Sequence, residues 1–306
     1  MIFEDKFYIG YRDIDTNLKI KNSAILNIFE DIAGMHASYA GEGLKESDTT
    51  WLLTGYKVNI IKRPEYGEKI DVLTWGTEIK NITASREFEI RSKTGELLIA
   101  GLSNWGHINL KTKKIEKVSP ELINSYKLEP SKTNFNELKL KKIKEPENYL
   151  YNKSYKVDWN WIDANNHMNN IYYLEVAEMT LPEEVRDSNN YSGFEIMYKK
   201  EVKYGDVIKC LYAENESSYI VAIKNEDLSD LHAIVKLNKC KIKSLIYWNI
   251  KDFIHINGAD DVDIYNSSGS LDDWYKINQV NCIITHFSKN TIPLKIKKSF
   301  GVNLVI

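Results

Sequence analysis

Asp163, Asn165 and His167 stand at alternating positions in the sequence. In an extended chain, alternate side chains project to the same side, so this spacing predicts a carboxylate, an amide and an imidazole on one face. These groups are the parts of an acid–base site, in which an imidazole or carboxylate deprotonates water and an amide holds that water or a carbonyl. An apolar helical pattern over about residues 170–179 follows at once and is expected to hold the group against a rigid element.

The surrounding segment, residues 161–173, reads as an aromatic residue, Asp-x-Asn-x-His-x-Asn-Asn and a tyrosine-containing helix. A second cluster, Met-Tyr-Lys-Lys-Glu-Val-Lys, covers residues 197–203. Together they resemble the acyl-acyl carrier protein (acyl-ACP) thioesterases of plants and bacteria, over roughly residues 7–242. The Asn-His-Met-Asn-Asn part alone also occurs in other thioesterases that share the fold of this family. The resemblance implies hydrolysis of fatty acyl-ACP thioesters, with release of free fatty acid from fatty acid synthesis.

By this resemblance, the family's four catalytic positions are occupied by Asp163, Asn165, His167 and Glu201. We assign Glu201 as the general base on the attacking water and His167 as the group that positions this water or shares its proton; the two roles could be exchanged. Asn165 would orient the water or the thioester carbonyl, and Asp163 would hold the network in place. Val202 stands where an older picture of the family has a nucleophilic cysteine, which favours direct attack by water.

The motif belongs to a unit that the chain contains twice. At a separation of 148 positions, the matching residues are Asp15 with Asp163, Asn17 with Asn165 and Asn22 with Asn170. Lys19 stands in place of His167, and Arg63 stands opposite Glu201 at a separation of 138. The first copy is therefore expected to lack catalysis and, as the resemblance implies, to shape the acyl-chain pocket. Because Asp15 and Asn17 recur without a histidine, their counterparts could also serve only as turn or cap residues.

Each copy predicts a long helix followed by several strands. Apolar residues at three- and four-residue spacing predict the first helix over about residues 23–40, where Ile25, Ile28, Ile32 and Ala33 line either the acyl chain or the core. Strands are predicted over residues 69–76, 84–92, 97–110, 207–213, 219–224 and 231–242. With the resemblance, we expect an α+β protein of two tandem hot-dog domains that form a pseudo-dimer. The expected boundaries are 1–125 for the N-terminal domain, 126–148 for a linker, 149–243 for the catalytic domain and 244–306 for an extension of unknown role.

Composition narrows the class of protein. The net charge of −2 gives no general attraction to nucleic acid, and neither a signal peptide nor a membrane-spanning apolar run is visible. Cys210, Cys240 and Cys282 are odd in number and widely spaced, which is typical of a reducing compartment. We therefore expect a cytoplasmic protein, either a monomer or a homodimer. No phosphate-binding loop or metal-spaced cluster is visible, so no cofactor is expected.

The expected partner is an acyl carrier protein with a phosphopantetheine-linked acyl chain. Carrier proteins are acidic, so basic residues near the motifs could steer docking: Lys57, Lys62, Arg63, Lys199, Lys200 and Lys203. An acyl-CoA thioesterase of the same fold, a non-catalytic acyl-binding module and, less favoured, a hot-dog dehydratase are the alternatives. The sequence leaves the acyl chain length open.

Overall fold

The computed structural model describes residues 1–43, 47–188 and 191–240, together with two short strands further on. The chain divides into two compact units, Met1–Lys239 and Cys240–Ile306. The first unit contains every residue that the sequence assigns to a site.

The first half of this unit has the order strand, helix and four strands. Its elements are β1 (Phe3–Tyr8), α1 (Asn22–Tyr39), β2 (Thr49–Ile60), β3 (Lys69–Lys80), β4 (Thr83–Ser92), β5 (Leu97–Asn109) and a short α2 (Pro120–Ser125). The second half repeats the order with β6 (Tyr151–Lys156), α3 (Asn170–Thr180), a short α4 (Glu183–Ser188), β7 (Tyr191–Tyr198), β8 (Val207–Glu214), β9 (Ser218–Asn225) and β10 (Leu231–Lys239). Both predicted helices are confirmed.

The ten strands form one antiparallel sheet with the order β1-β3-β4-β5-β2-β7-β10-β9-β8-β6. Read from its two edges, the sheet has the same order in each half, because β6, β8, β9, β10 and β7 replace β1, β3, β4, β5 and β2. The halves meet where β2 pairs with β7, from Gly55 opposite Met197 to Asn59 opposite Gly193. This β2–β7 seam makes the sheet continuous, and the predicted pair of hot-dog domains is confirmed.

The two long helices share one apolar core with the sheet. Ile25, Ile28, Ile32 and Ala33 are all buried on α1, and Leu174 and Val176 are buried on α3. Burial of this kind drives folding through removal of apolar surface from water, at roughly 25 cal/mol per Å². These α1 residues were expected to line either the acyl chain or the core, and in the structure they pack in the core.

The segment between the halves contacts strands of both halves of the sheet, and its Ile143 N–H donates to Met197 Sδ on β7 at 3.1 Å. Phe135 packs with Ala100 and Leu102 in a small apolar cluster separate from the main core. The Trp75 indole donates to the Lys132 carbonyl at 2.8 Å. The linker is therefore fixed at points along its length, although its exact bounds stay a prediction.

The C-terminal unit contributes two strands to the description. β11 (Ile254–Ile256) and β12 (Val262–Ile264) pair with each other in antiparallel fashion. The remainder of the predicted extension, 244–306, lies outside the described residues, as does Cys282.

Candidate active site

The Asp163–His167 segment is a tight turn, not an extended strand. Asp163 Oδ1 accepts hydrogen bonds from the backbone N–H groups of Asn165 at 2.8 Å and His167 at 3.5 Å. Asn166 takes a positive φ of 63°, which places it in the left-handed region. The predicted alternation of side chains on one face is therefore wrong, because local hydrogen bonding by an aspartate closes the chain into a turn.

Backbone contacts fix this turn against the Glu201 segment. Ile162 bridges Met168 across the turn, and the Met168 N–H donates to the Val202 carbonyl at 2.8 Å. Asn169 then caps α3 by accepting from the Ile171 N–H at 2.9 Å. Because α3 begins directly after the turn, a rigid helix holds His167 in position.

His167 and Glu201 meet in space although they lie 34 positions apart in the sequence. The His167 Nε2 lies 2.7 Å from Glu201 Oε2, and Lys203 Nζ lies 3.9 Å from the other carboxylate oxygen. The side chains remain 30% and 54% exposed, so water reaches the pair. An imidazole hydrogen-bonded to a carboxylate and open to solvent can transfer a proton to or from a bound water.

Asn165 is not brought into that pair by any described contact. Its side chain is exposed, and its amide lies 3.4 Å from Asp163 Oδ2. The structure therefore places Asp163 and Asn165 in the turn, and His167 with Glu201 beside it. The catalytic role of all four residues stays a prediction.

The first half builds the same turn without the chemistry. Asp15 Oδ1 accepts from the backbone of Asn17 at 2.8 Å and Lys19 at 3.0 Å, and Leu18 has a φ of 61°. Arg63, opposite Glu201 in the repeat, donates to the Ile20 carbonyl at 2.9 Å. The duplicated aspartate thus stabilises the turn in both halves by accepting hydrogen bonds from its backbone N–H groups. Only the second of the two turns carries an imidazole paired with a carboxylate.

Replacement of Asp15 and of Asp163 can distinguish the role of Asp163 in the turn from its predicted role in catalysis. We expect Asp15→Ala and Asp163→Ala to destabilise the fold by similar amounts, about 1 kcal/mol each, since each loses the same turn hydrogen bonds. Chemical denaturation of both variants measures this cost. If Asp163 also supports catalysis, only its replacement lowers thioester hydrolysis after correction for folded protein. Equal activity in the two variants would assign Asp163 to the turn alone.

Cys210 is excluded as a nucleophile by its surroundings. It is completely buried on β8, as is common for a small apolar residue, and burial raises the pKa of its thiol to about 12. His36 is likewise buried, and burial together with the charge of Arg86 lowers its pKa to about 3. Neither group is therefore charged near neutral pH.

Two glutamates between the helices were missed by the sequence reasoning. Glu30 on α1 and Glu178 on α3 are separated by the repeat distance of 148 positions. Burial raises the pKa of each carboxyl to about 7, far above its usual 4.5. The repeat offset could have found them, because it pairs glutamate with glutamate on the two long helices.

A groove of about 930 Å³ lies away from the His167–Glu201 pair. Linker residues 134–148 and strand residues such as Lys57 and Glu195 line it, and none of the four candidate residues contributes. The described part of the chain contains no cluster of three metal-ligating side chains and no helix long and apolar enough to cross a membrane.

Comparison with known proteins gives the family. The model of the acyl-ACP thioesterase N-terminal domain matches residues 1–126, and that of the acyl-ACP thioesterase C-terminal domain matches residues 144–249. The chain belongs to the acyl-ACP thioesterase family. Both halves of the duplicated unit are covered by these matches.

Individual members of the acyl-ACP thioesterase family are distant relatives. A chloroplastic acyl-[acyl-carrier-protein] hydrolase of Cuphea viscosissima is 25% identical over 228 residues, covering 70% of this chain and 55% of the relative. The chloroplastic oleoyl-acyl carrier protein thioesterase 1 of Arabidopsis thaliana is 23% identical over 230 residues, covering 68% of this chain and 63% of the relative. The chain thus spans little more than half the length of these two proteins.

Solved structures of the family share the fold. The crystal structure of an acyl-ACP thioesterase from Bacteroides thetaiotaomicron matches with a TM-score of 0.69 and 25% identity, covering 78% of this chain and 97% of that one. A 12:0-ACP thioesterase from Umbellularia californica matches with a TM-score of 0.67 and 21% identity, covering 77% and 96%.

Proposed function

We propose that this protein hydrolyses the thioester of fatty acyl-ACP and releases free fatty acid. The observation that carries the proposal is the 2.7 Å contact between His167 and Glu201, built in the half that kept an imidazole and a carboxylate. The first half has Lys19 and Arg63 at the matching positions and cannot perform the same proton transfer. Family membership supports the thioester as the bond that is broken.

In the proposed reaction, Glu201 or His167 takes a proton from water, and the resulting oxygen nucleophile attacks the thioester carbonyl carbon. The tetrahedral intermediate collapses with cleavage of the carbon–sulfur bond, and the phosphopantetheine thiolate leaves. The proton taken from water returns to this thiolate. Thiolates leave easily, so most of the catalytic demand falls on activation of the water and stabilisation of the oxyanion.

Val202 supports attack by water over an acyl-enzyme route. It follows Glu201 directly and is completely buried, with its carbonyl engaged by the motif turn. A valine side chain offers no nucleophile. In this proposal, Asn165 would approach the water or the carbonyl only when substrate is bound, since its amide lies in the turn here.

The carrier protein is the proposed partner. Lys57, Lys62, Lys199, Lys200 and Lys203 remain candidates for steering an acidic carrier, although Lys200 lies 2.6 Å from Asp230. Arg63 is withdrawn from that set because its guanidinium is held by the Ile20 carbonyl and by Asn22 at 2.8 Å. A cytoplasmic location and a monomeric or homodimeric state stay predictions.

The test is release of free fatty acid from a panel of acyl-ACP thioesters of different chain lengths, with the matching acyl-CoA thioesters alongside. We expect hydrolysis of the ACP series, with a preferred chain length. Hydrolysis of acyl-CoA alone would favour a thioesterase with another carrier. Tight binding of acyl-ACP without turnover would instead indicate an acyl-binding module.

A further inference from the structure

The two long helices exchange polar contacts through a pseudo-twofold arrangement. On one side, the Asn22 amide at the start of α1 donates to Glu178 Oε1 on α3 at 2.6 Å. On the other side, the Asn170 side chain at the start of α3 lies close enough to Glu30 on α1 to oppose the rise that burial gives the pKa of its carboxyl. Each member of one pair is 148 positions from its counterpart in the other. Each half therefore places a glutamate at the beginning of the other half's helix.

The two pairs differ in the charge beside them. Arg63 Nη2 donates to Asn22 Oδ1 at 2.8 Å, and its positive charge opposes the rise that burial gives the pKa of Glu178. At the matching position of the repeat, the chain has Glu201 in place of the arginine. Among the described residues, the groups that shift the Glu30 pKa are Asn170, Asp163 and Asp31, none of which is a cation. Glu30 Oε1 is buried without a hydrogen-bond partner among the described residues.

A continuous set of contacts joins Asn170 to the candidate catalytic pair. The Tyr198 hydroxyl donates to the Asn170 carbonyl at 3.1 Å, and the Tyr198 ring meets the Tyr173 ring edge-on with centroids 5.5 Å apart. The Tyr173 hydroxyl donates to the carbonyl of Lys200 at 3.5 Å. Lys200 directly precedes Glu201, so these contacts connect Asn170 with the Glu201 segment.

We propose that Glu30, a residue of the non-catalytic half, is a positioning residue of the catalytic site that acts through Asn170 on the orientation and charge around His167 and Glu201. The inference rests on the proposed function. If Glu30 acts in this way, the first half influences catalysis in the second half, although no motif in the first half indicates such a role.

Ionisation of Glu30 near neutral pH is set by its surroundings. Burial raises its pKa to about 7, Asn170 opposes this rise, and the charges of Asp163 and Asp31 add to it. The groups that face it from the strands are Tyr56 on β2 and Tyr198 on β7, with Arg86 on β4 beside Tyr56. Above about pH 7, an ionised Glu30 adds negative charge near Asp163.

The experiment compares Glu30→Gln with Glu178→Gln, its counterpart in the repeat. We expect Glu30→Gln to lower kcat by between about 2- and 30-fold with little change in KM, and to remove an inflection near pH 7 from the kcat profile. Glu178→Gln should keep the wild-type profile. Identical profiles for wild type and both variants would overturn the proposal.

A second measurement needs no substrate. Ring signals of His167, recorded by NMR at one fixed pH, should differ between the wild-type protein and Glu30→Gln and should be unchanged in Glu178→Gln. If the wild-type protein hydrolyses nothing, the proposed function fails while this comparison still tests Glu30. His167 signals unchanged by Glu30→Gln would overturn the inference.

If Glu30→Gln does not fold, Asn170→Ala breaks the same contact from the other half. Loss of the amide removes the side-chain interaction that opposes the rise of the Glu30 pKa, so the inflection in the kcat profile should move above pH 7. An inflection that stays in place in folded Asn170→Ala would show that the contact has no influence on the site.

Discussion

Replacing His167 or Glu201 by alanine is expected to lower kcat for acyl-ACP hydrolysis by about 10²- to 10⁴-fold, the range typical of general acid–base groups. Each substitution removes one partner of the 2.7 Å contact through which the proton of the attacking water would pass. Both side chains are partly exposed, so their loss leaves no cavity in the core and the fold should persist. Single-turnover release of fatty acid, with circular dichroism as a folding check, measures the effect.

The double variant His167→Ala/Glu201→Ala should be about as slow as either single variant. Groups that act as a unit give strongly non-additive losses, because removing the first already abolishes the shared proton transfer. Additive losses would mean that the two residues act in separate steps.

Lys19→Ala is the matched control, since Lys19 occupies the position of His167 in the first half. Its backbone makes the turn contacts, which alanine retains, so activity should remain close to that of the wild type. A comparable loss of activity in Lys19→Ala and His167→Ala would contradict the assignment of chemistry to the second half.

Gly193→Ala is expected to destabilise the protein by about 3 kcal/mol, because its Cβ would overlap the Val58 carbonyl across the β2–β7 seam. Gly193 also has a φ of 156°, at the edge of the region that side chains avoid. Relief of the overlap requires the strands to separate where the two halves join. For a folded unit of this size, the loss corresponds to a melting temperature lower by about 6–12 °C, measured by calorimetry.

Gly106→Ala provides the control for the seam. Gly106 lies on β5, and a Cβ added there would meet no atom within 4 Å, so the substitution should change stability by less than about 0.5 kcal/mol. A similar cost at both glycines would mean that strand glycines are generally sensitive and that the seam is not specially strained.

The predicted strands omitted β1 and β6 at the edges of the sheet and β2 and β7 where the two halves join. Each of β2 and β7 carries a glycine, Gly55 and Gly193, where the neighbouring strand approaches too closely for a side chain. Glycine weakens the strand pattern in a sequence, yet here it permits the pairing. Glycine is therefore required at these two positions because of the neighbouring strand, which the local sequence does not reveal.

Local patterns in the chain were enough to establish the duplication, the two long helices, the order of helices and strands, and the half that carries imidazole and carboxylate. These features depend on periodicity and repeated residue types, which can be read within short segments. The hot-dog fold was predicted from the family resemblance of the motifs. The spacing argument for Asp163, Asn165 and His167 was wrong, because the aspartate closes a turn that alternation does not reveal.

Which atoms of distant groups are in contact depends on the tertiary structure. The resemblance had placed His167 and Glu201 in one site, and the fold brings them together across 34 positions. The contact between Asn22 and Glu178, which lie in different halves, was not predicted. The fold also buries Glu30 and Glu178 enough to raise each carboxyl pKa to about 7. Contacts between halves and loss of solvent depend on packing of elements far apart in the chain, and local periodicity carries no information about either.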